Sequence, residues 1–224
     1  MAPHNLWLEC PEQVRLGEQL FCRICYGHHF TLDGKVDPAK VSLDVYARGL
    51  DHLTLEPVPR DEVLVASFIP ETTGMHTIVA KFDAGVYSID PKGKHYPGGR
   101  EQNTGHKVVR TVHYVHYAKK IITVERETPL PGSFGLEYEI IPFSIGDGDI
   151  EGLVQYNGKP LPEVTVFAHG RNKPMSRMVK TRHDGRFELH LSQGEWMLIA
   201  AHKVPGEEGI ADIRHIASTF VLTL

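Results

Sequence analysis

Two tight-turn dipeptides set among alternating runs constrain the C-terminal part of this chain more than any other feature. Asn157-Gly158 and Asp184-Gly185 supply the positive φ values that a two-residue hairpin turn demands. Around them apolar and polar residues alternate: Val164, Val166 and Ala168, then Phe187, Leu189 and Leu191, then Trp196, Leu198 and Ala200. Period two marks half-buried strands, so residues 154–201 are expected to form a small antiparallel sandwich. A sandwich is a scaffold and names no function. The chemistry has to be sought in the side chains it carries.

The first half shows the strand spacing of an all-β domain. An apolar strand is expected over 4–8, a returning neighbour over 19–27, and further strands over 41–47, 63–69 and 74–82. A short helical turn fits 38–40. Residues 83–106 hold five glycines, two prolines, Tyr87, Asp90, His95, Tyr96 and His106, and read as a long functional or mobile loop. Residues 107–125 are rich in β-branched and aromatic types and read as one long strand or two with a bend. A linker is expected near 128–133. The reading is therefore all-β, with two tandem immunoglobulin-like β-sandwich domains at 1–127 and 128–224.

Composition narrows the function. A net charge of −4 with no basic stripe argues against a nucleic-acid partner. No run of about eighteen apolar residues exists, so no span of a membrane is expected. Met1-Ala2-Pro3 has neither the charged start nor the apolar core of a signal peptide, and the chain is read as the mature part of an exported protein. Neither a Gly-x-Ser-x-Gly elbow nor a His-Glu-x-x-His zinc motif is present, so an enzyme is not expected.

Histidine stands out, at 14 of 224 residues. Neutral imidazole is the commonest metal ligand and suits nickel, copper, zinc and cobalt. The three cysteines are Cys10, Cys22 and Cys25, and an odd count leaves at least one outside an intrachain pair. Cys22 and Cys25 lie three apart on an expected strand and so face opposite sides. A bridge from Cys10 to either of them would fit an oxidising compartment.

The order of motifs resembles one exported family. It is carried by His4-Asn5-Leu6-Trp7-Leu8-Glu9, Gly27-His28-His29-Phe30, Tyr117-Ala118-Lys119, residues 136–142, Gly158-Lys159-Pro160-Leu161, Asp184-Gly185-Arg186-Phe187, and Gly194-Glu195-Trp196 with His202. These are similar to the periplasmic proteins associated with nickel and cobalt (ABC-type) uptake systems, a family long described as a domain of unknown function. The C-terminal motifs are also similar to carboxypeptidase-regulatory-like and transthyretin-like sandwiches. The resemblance implies a periplasmic metal-binding accessory that passes nickel or cobalt to the membrane component of a transporter. It also implies a leader removed close to His4.

If His4 were first, its amine and imidazole could chelate one ion, and further histidines would complete a nitrogen-rich tetragonal site suited to Ni(II) or Cu(II). If Ala2 were first, Pro3 has no N–H to lose, which rules out the four-nitrogen amino-terminal chelate. With residues ahead of it, the His4 amine is a peptide nitrogen. The metal ligands expected are His4, His28, His29 and His116, with His113, His95 and His106 in reserve. Adjacent strand residues point oppositely, so one of His28 and His29 is expected to bind. Nickel or cobalt is the expected ion, with copper or zinc as alternatives. Two rival functions remain: a structural or adhesive module without metal, and a copper-dependent oxidative enzyme with an N-terminal histidine site.

Overall fold

The computed structural model describes residues 4–47, 52–173 and 175–224. In chain order the strands are β1 (Asn5–Glu9), β2 (Gln13–Val14), β3 (Leu20–His28), β4 (Thr31–Leu32), β5 (Val41–Ala47), β6 (Leu53–Leu55), β7 (Val58–Arg60), β8 (Val63–Phe68), β9 (Gly74–Ile89) and β10 (His95–Pro97). There follow β11 (Arg110–Val124), β12 (Tyr138–Gly146), β13 (Asp149–Tyr156), β14 (Lys159–Pro160), β15 (Thr165–Gly170), β16 (Arg177–Lys180), β17 (Arg186–His190), β18 (Glu195–Pro205) and β19 (Ile213–Thr223). Single 3-10 turns occupy Pro38–Lys40 and Glu101–Asn103. The protein is all-β and immunoglobulin-like in its sandwich packing.

Three sheets are layered. The middle one has ten strands, in the order β16-β15-β18-β19-β11-β9-β5-β6, with β10 beside β9 and β2 beside β11. It runs through both halves of the chain because β11 and β19 pair in parallel from Val112↔Ile213 to Lys120↔Val221. On one side lies the sheet β1-β3-β8-β7 with β4, and on the other the sheet of β12, β13, β14 and β17.

Period two in β11 explains how one strand serves two cores. Ala118, Ile122 and Val124 pack with Leu6, Leu43 and Ile78, whereas Val115 and Tyr117 pack with Tyr138, Trp196 and Phe220. Successive side chains on a strand leave opposite faces, so alternate residues of β11 feed the two sides. The same rule divides β1. Leu6 and Leu8 join the first core, and Trp7 turns the other way to meet Met197, Ile199 and Val221.

Two expectations are corrected here. Residues 83–89 are not loop but the far end of β9. The glycine that signalled a loop, Gly85, sits at φ +87 in a register shift opposite Tyr114 and Val115. Ala84 has no partner residue across this step, as a β-bulge requires. The Asp83 carboxylate accepts the Gly85 N–H at 2.9 Å, satisfying a donor the shift frees. The Asp184-Gly185 turn does not close a hairpin. It delivers the chain from β16, in the ten-stranded sheet, to β17, in the four-stranded one. Asn157-Gly158 does close one, between β13 and β14, with both residues at positive φ.

The cysteine pairing is Cys10–Cys22, one step beyond the Glu9↔Arg23 pair of β1 and β3. Cys25 is free and buried, on the opposite face of β3 from Cys22. Burial pushes its thiol up to about 12, which leaves it unreactive at neutral pH. The bridge spans a sequence separation of 12, and a loop of this size contributes about 3 kcal/mol by restricting the unfolded chain. Replacing both residues by alanine should lower the urea-unfolding free energy by about that much. A loss below about 1 kcal/mol would show that β1 is held by its apolar contacts alone.

Candidate metal centre

His4 stands immediately before β1, and His28 ends β3. The antiparallel register ends at Asn5↔Gly27, so the next step sets His4 beside His28. Their ring centroids lie 4.3 Å apart. The third member, Asp33, arrives by a return of the chain. His29 and Phe30 form a two-residue turn, both at positive φ, +48° and +67°, and β4 pairs back on β3 through His28↔Thr31. This is the primed-turn geometry usually given to Asn-Gly.

Gly27 makes the return possible. A Cβ there would meet the Thr31 carbonyl oxygen at 2.0 Å and Asp33 Oδ1 at 2.5 Å. Any side chain at position 27 would therefore push Asp33 out of the site.

In the resulting geometry His28 Nδ1 lies 2.8 Å from Asp33 Oδ2, and His4 Nε2 lies 3.4 Å from Asp33 Oδ1. One ligand atom from each of the three residues lies within 4.8 Å of the others. Donors bound to one ion at about 2.1 Å stand about 3.0–3.4 Å apart in octahedral or tetrahedral arrangements. The spacing therefore admits an ion after small side-chain rotations. Side-chain exposures of 33% for His4, 21% for His28 and 44% for Asp33 leave the site open to solvent and to further ligands.

The surroundings set the protonation of His4 and Asp33. Partial burial is the largest factor lowering the His4 pKa, and neighbouring His28 lowers it further. A hydrogen bond from His28 is the main reason the Asp33 carboxyl titrates below its ordinary range. At neutral pH the cluster thus offers a neutral His4 imidazole and an ionised carboxylate, the forms that ligate.

The expected ligands divide. His4 and His28 come together. His29 does not join them, because the turn sends its ring onto His169, with centroids 4.0 Å apart. His116 lies one ring deeper: Tyr26 packs on His4 at 5.0 Å and on His116 at 5.2 Å, and its hydroxyl lies 3.2 Å from His116 Nε2. The His116 imidazole is 1% exposed, and burial pushes its pKa down to about 3. Of the reserves, His113 pairs with Asp83 at 2.7 Å and His106 stacks on Tyr96 at 3.9 Å. The terminal chelates involving residues 1–3 lie outside the described residues. Asp33 went unseen in the sequence because Asp-Gly reads as a turn signal. The available cue was a carboxylate five residues after His28, at the distance a two-residue hairpin folds back.

The strained turn is held from outside. Phe30 lies under the Arg171 guanidinium at 4.1 Å and edge-on to Trp7 at 6.0 Å. Arg171 is itself fixed by Glu9 and Glu195. Two non-glycine residues at positive φ cost roughly 1–3 kcal/mol each, and these contacts from β1 and from the turn after β15, with the His169 stack on His29, offset that cost. The C-terminal half thereby braces the hairpin that delivers Asp33.

Residues 1–204 match the family described as Domain of unknown function (DUF4198). No curated protein matches the chain. Among solved structures it is similar to a Salmonella alpha-2-macroglobulin mutant, at 14% identity and a TM-score of 0.32, over 98% of this chain and 15% of that one. It is also similar to a tandem repeat from the extending region of a large adhesion protein, at 10% identity and a TM-score of 0.28, over 99% and 49% of the two chains. An E. coli alpha-2-macroglobulin gives 14% identity and a TM-score of 0.30, over 97% and 14%. This chain thus spans about half or less of each of these, and at such scores the likeness tells nothing about function.

Proposed function

The chain belongs to the DUF4198 family, whose description states no activity, and from the geometry of the site we propose that it is a metal-binding accessory protein. The observation that carries this reading is the convergence of His4, His28 and Asp33 from three separate segments. Two imidazoles and a carboxylate suit divalent nickel, cobalt, copper or zinc better than magnesium or calcium. Few protein donors and exposure to solvent let a bound ion leave again, as a carrier requires. The function proposed is to hold nickel or cobalt and hand it to the membrane component of a transporter. The Cys10–Cys22 bridge supports an oxidising compartment such as the periplasm. In this reading residues 1–127 hold the ion, and residues 128–224 brace the hairpin that supplies Asp33.

Calorimetric titration of Ni(II), Co(II), Cu(II) and Zn(II) into the untagged protein tests it. One ion should bind per chain, and His4→Ala or His28→Ala should weaken binding at least tenfold, about 1.4 kcal/mol. Affinity should fall as pH drops through the ordinary histidine pKa of about 6.5, because a protonated imidazole cannot ligate. No binding tighter than roughly 0.1 mM, about −5.5 kcal/mol, would sink the proposal and favour an interaction module.

A further inference from the structure

A cavity of about 390 Å³ lies between the end of β8, in one sheet, and β5, β6 and β9 of the middle sheet. Small-molecule sites range from roughly 300 to 1,000 Å³. Its walls are apolar, with Val45 and Leu53 on one side and Phe68 and Ile69 on the other. Val45 and Phe68 continue into the first core. Leu53 and Ile69 are half exposed and form the rim. The polar side chains that line it are His52, Glu71 and His76. His52 and Glu71 are exposed, whereas His76 is 2% exposed. None of His4, His28 and Asp33 lines this cavity, so it is separate from the metal centre.

His76 faces inward because alternate residues of a strand share a face; Ile78 and Ala80 of β9 pack in the first core. Its Nε2 lies 3.0 Å from the Thr72 carbonyl oxygen. A carbonyl can only accept, so Nε2 carries the proton, and in the neutral ring Nδ1 is a bare acceptor. Burial holds the His76 pKa below its ordinary value, so the ring is neutral at pH 7. Nδ1 is buried and, among the described residues, has no hydrogen-bond partner. A buried acceptor left unmade is costly, and a group that brings it a donor recovers that cost. A carboxylate brings no donor, and Glu71 adds an acidic group to the lining that disfavours an anion.

We propose that this cavity is a binding site for a small neutral molecule with an apolar body and one hydroxyl group, the hydroxyl donating to His76 Nδ1. The body would bury against Val45, Leu53, Phe68 and Ile69. An analogue without the donor would gain the same apolar burial and leave Nδ1 unpaired, and sites built around a hydrogen bond reject such analogues. The proposal does not depend on the metal reading of the other site.

The test titrates the full chain with phenol and with toluene, which match in shape and differ in the donor. Nuclear magnetic resonance follows the Val45 and Leu53 methyl groups and the His76 ring nitrogens. Phenol should bind at least about threefold more tightly than toluene, as a net hydrogen bond supplies, and the His76 Nδ1 resonance should move as the bond forms. Toluene is the more apolar of the two, so His76→Phe should reverse the order. Should that buried substitution unfold the chain, Leu53→Lys at the exposed rim keeps the test, and it should weaken both probes. Neither probe moving the methyl resonances, or phenol binding no tighter than toluene with Nδ1 unmoved, would overturn the proposal. So would a preference for phenol that survives His76→Phe, or phenol affinity unchanged by Leu53→Lys.

Discussion

Glu139→Ala should lower the unfolding free energy by about 3–5 kcal/mol, the cost of leaving a buried charge without its partner. Lys119 projects from β11 toward the C-terminal core, and its ammonium lies 3.0 Å from Glu139 Oε1, with side-chain exposures of 3% and 0%. The carboxylate is otherwise well satisfied. Ser133 Oγ donates to it at 2.8 Å, the Phe134 backbone N–H at 3.2 Å, and Gln155 Nε2 at 3.2 Å. Removing it strands the Lys119 ammonium and frees the segment between the two halves. A domain's whole stability is about 5–15 kcal/mol, so the variant would be close to unfolded. Replacing the pair together, as Lys119→Met with Glu139→Leu, should restore much of the loss, since a buried pair is often no better than apolar residues of similar size. Urea titrations of the single and double variants check this. A single-variant loss under about 1 kcal/mol would mean that Lys119 finds water or another acceptor when Glu139 is gone.

Acid should destabilise the fold well before the carboxylates titrate. Burial pushes His116 down to about 3 and His215 down to about 4. Among the described residues, Nδ1 of each ring has no hydrogen-bond partner and is sealed from solvent. Unfolded, both take up a proton near pH 6.5. Above that pH neither state is protonated at these rings and they add no pH dependence. Between about 6.5 and 4 the unfolded chain holds two protons that the folded protein refuses, so stability falls as pH falls. Each such group contributes about 1.4 kcal/mol per pH unit, which gives about 2.7 for the two. His169, less deeply buried but also pushed down to about 4, steepens the same window. Denaturant midpoints at pH 7, 6 and 5 should drop accordingly, and His116→Phe with His215→Phe should flatten the curve. An unchanged slope in that double variant would mean that other groups take up the protons.

Much of this was legible in the chain. Period-two alternation and the Asn157-Gly158 turn give strands and an all-β sandwich, because a strand's two faces must differ when one is buried. The opposition of Cys22 and Cys25 followed from the same period. His4 and His28 could be paired as soon as β1 and β3 were read as neighbours. A local pattern states which face a residue takes, and for adjacent strands that suffices.

Contacts between segments far apart in sequence had to come from the tertiary structure. No local signal says that β11 pairs with β19 in parallel, or that one ten-stranded sheet runs through both halves. Gly85 looks the same to a sequence reader in a loop and in a bulge; the partner strand decides which. His29 and Phe30 are poor residues for a primed turn, and Arg171, His169 and Trp7 from elsewhere in the fold pack against them there. That turn brings Asp33 to His4 and His28. The sequence by itself determined most of the strands and brought His4 and His28 together. The tertiary structure decided the third donor, because its position depends on a strained turn whose stabilising contacts come from residues more than a hundred positions away as well as from β1.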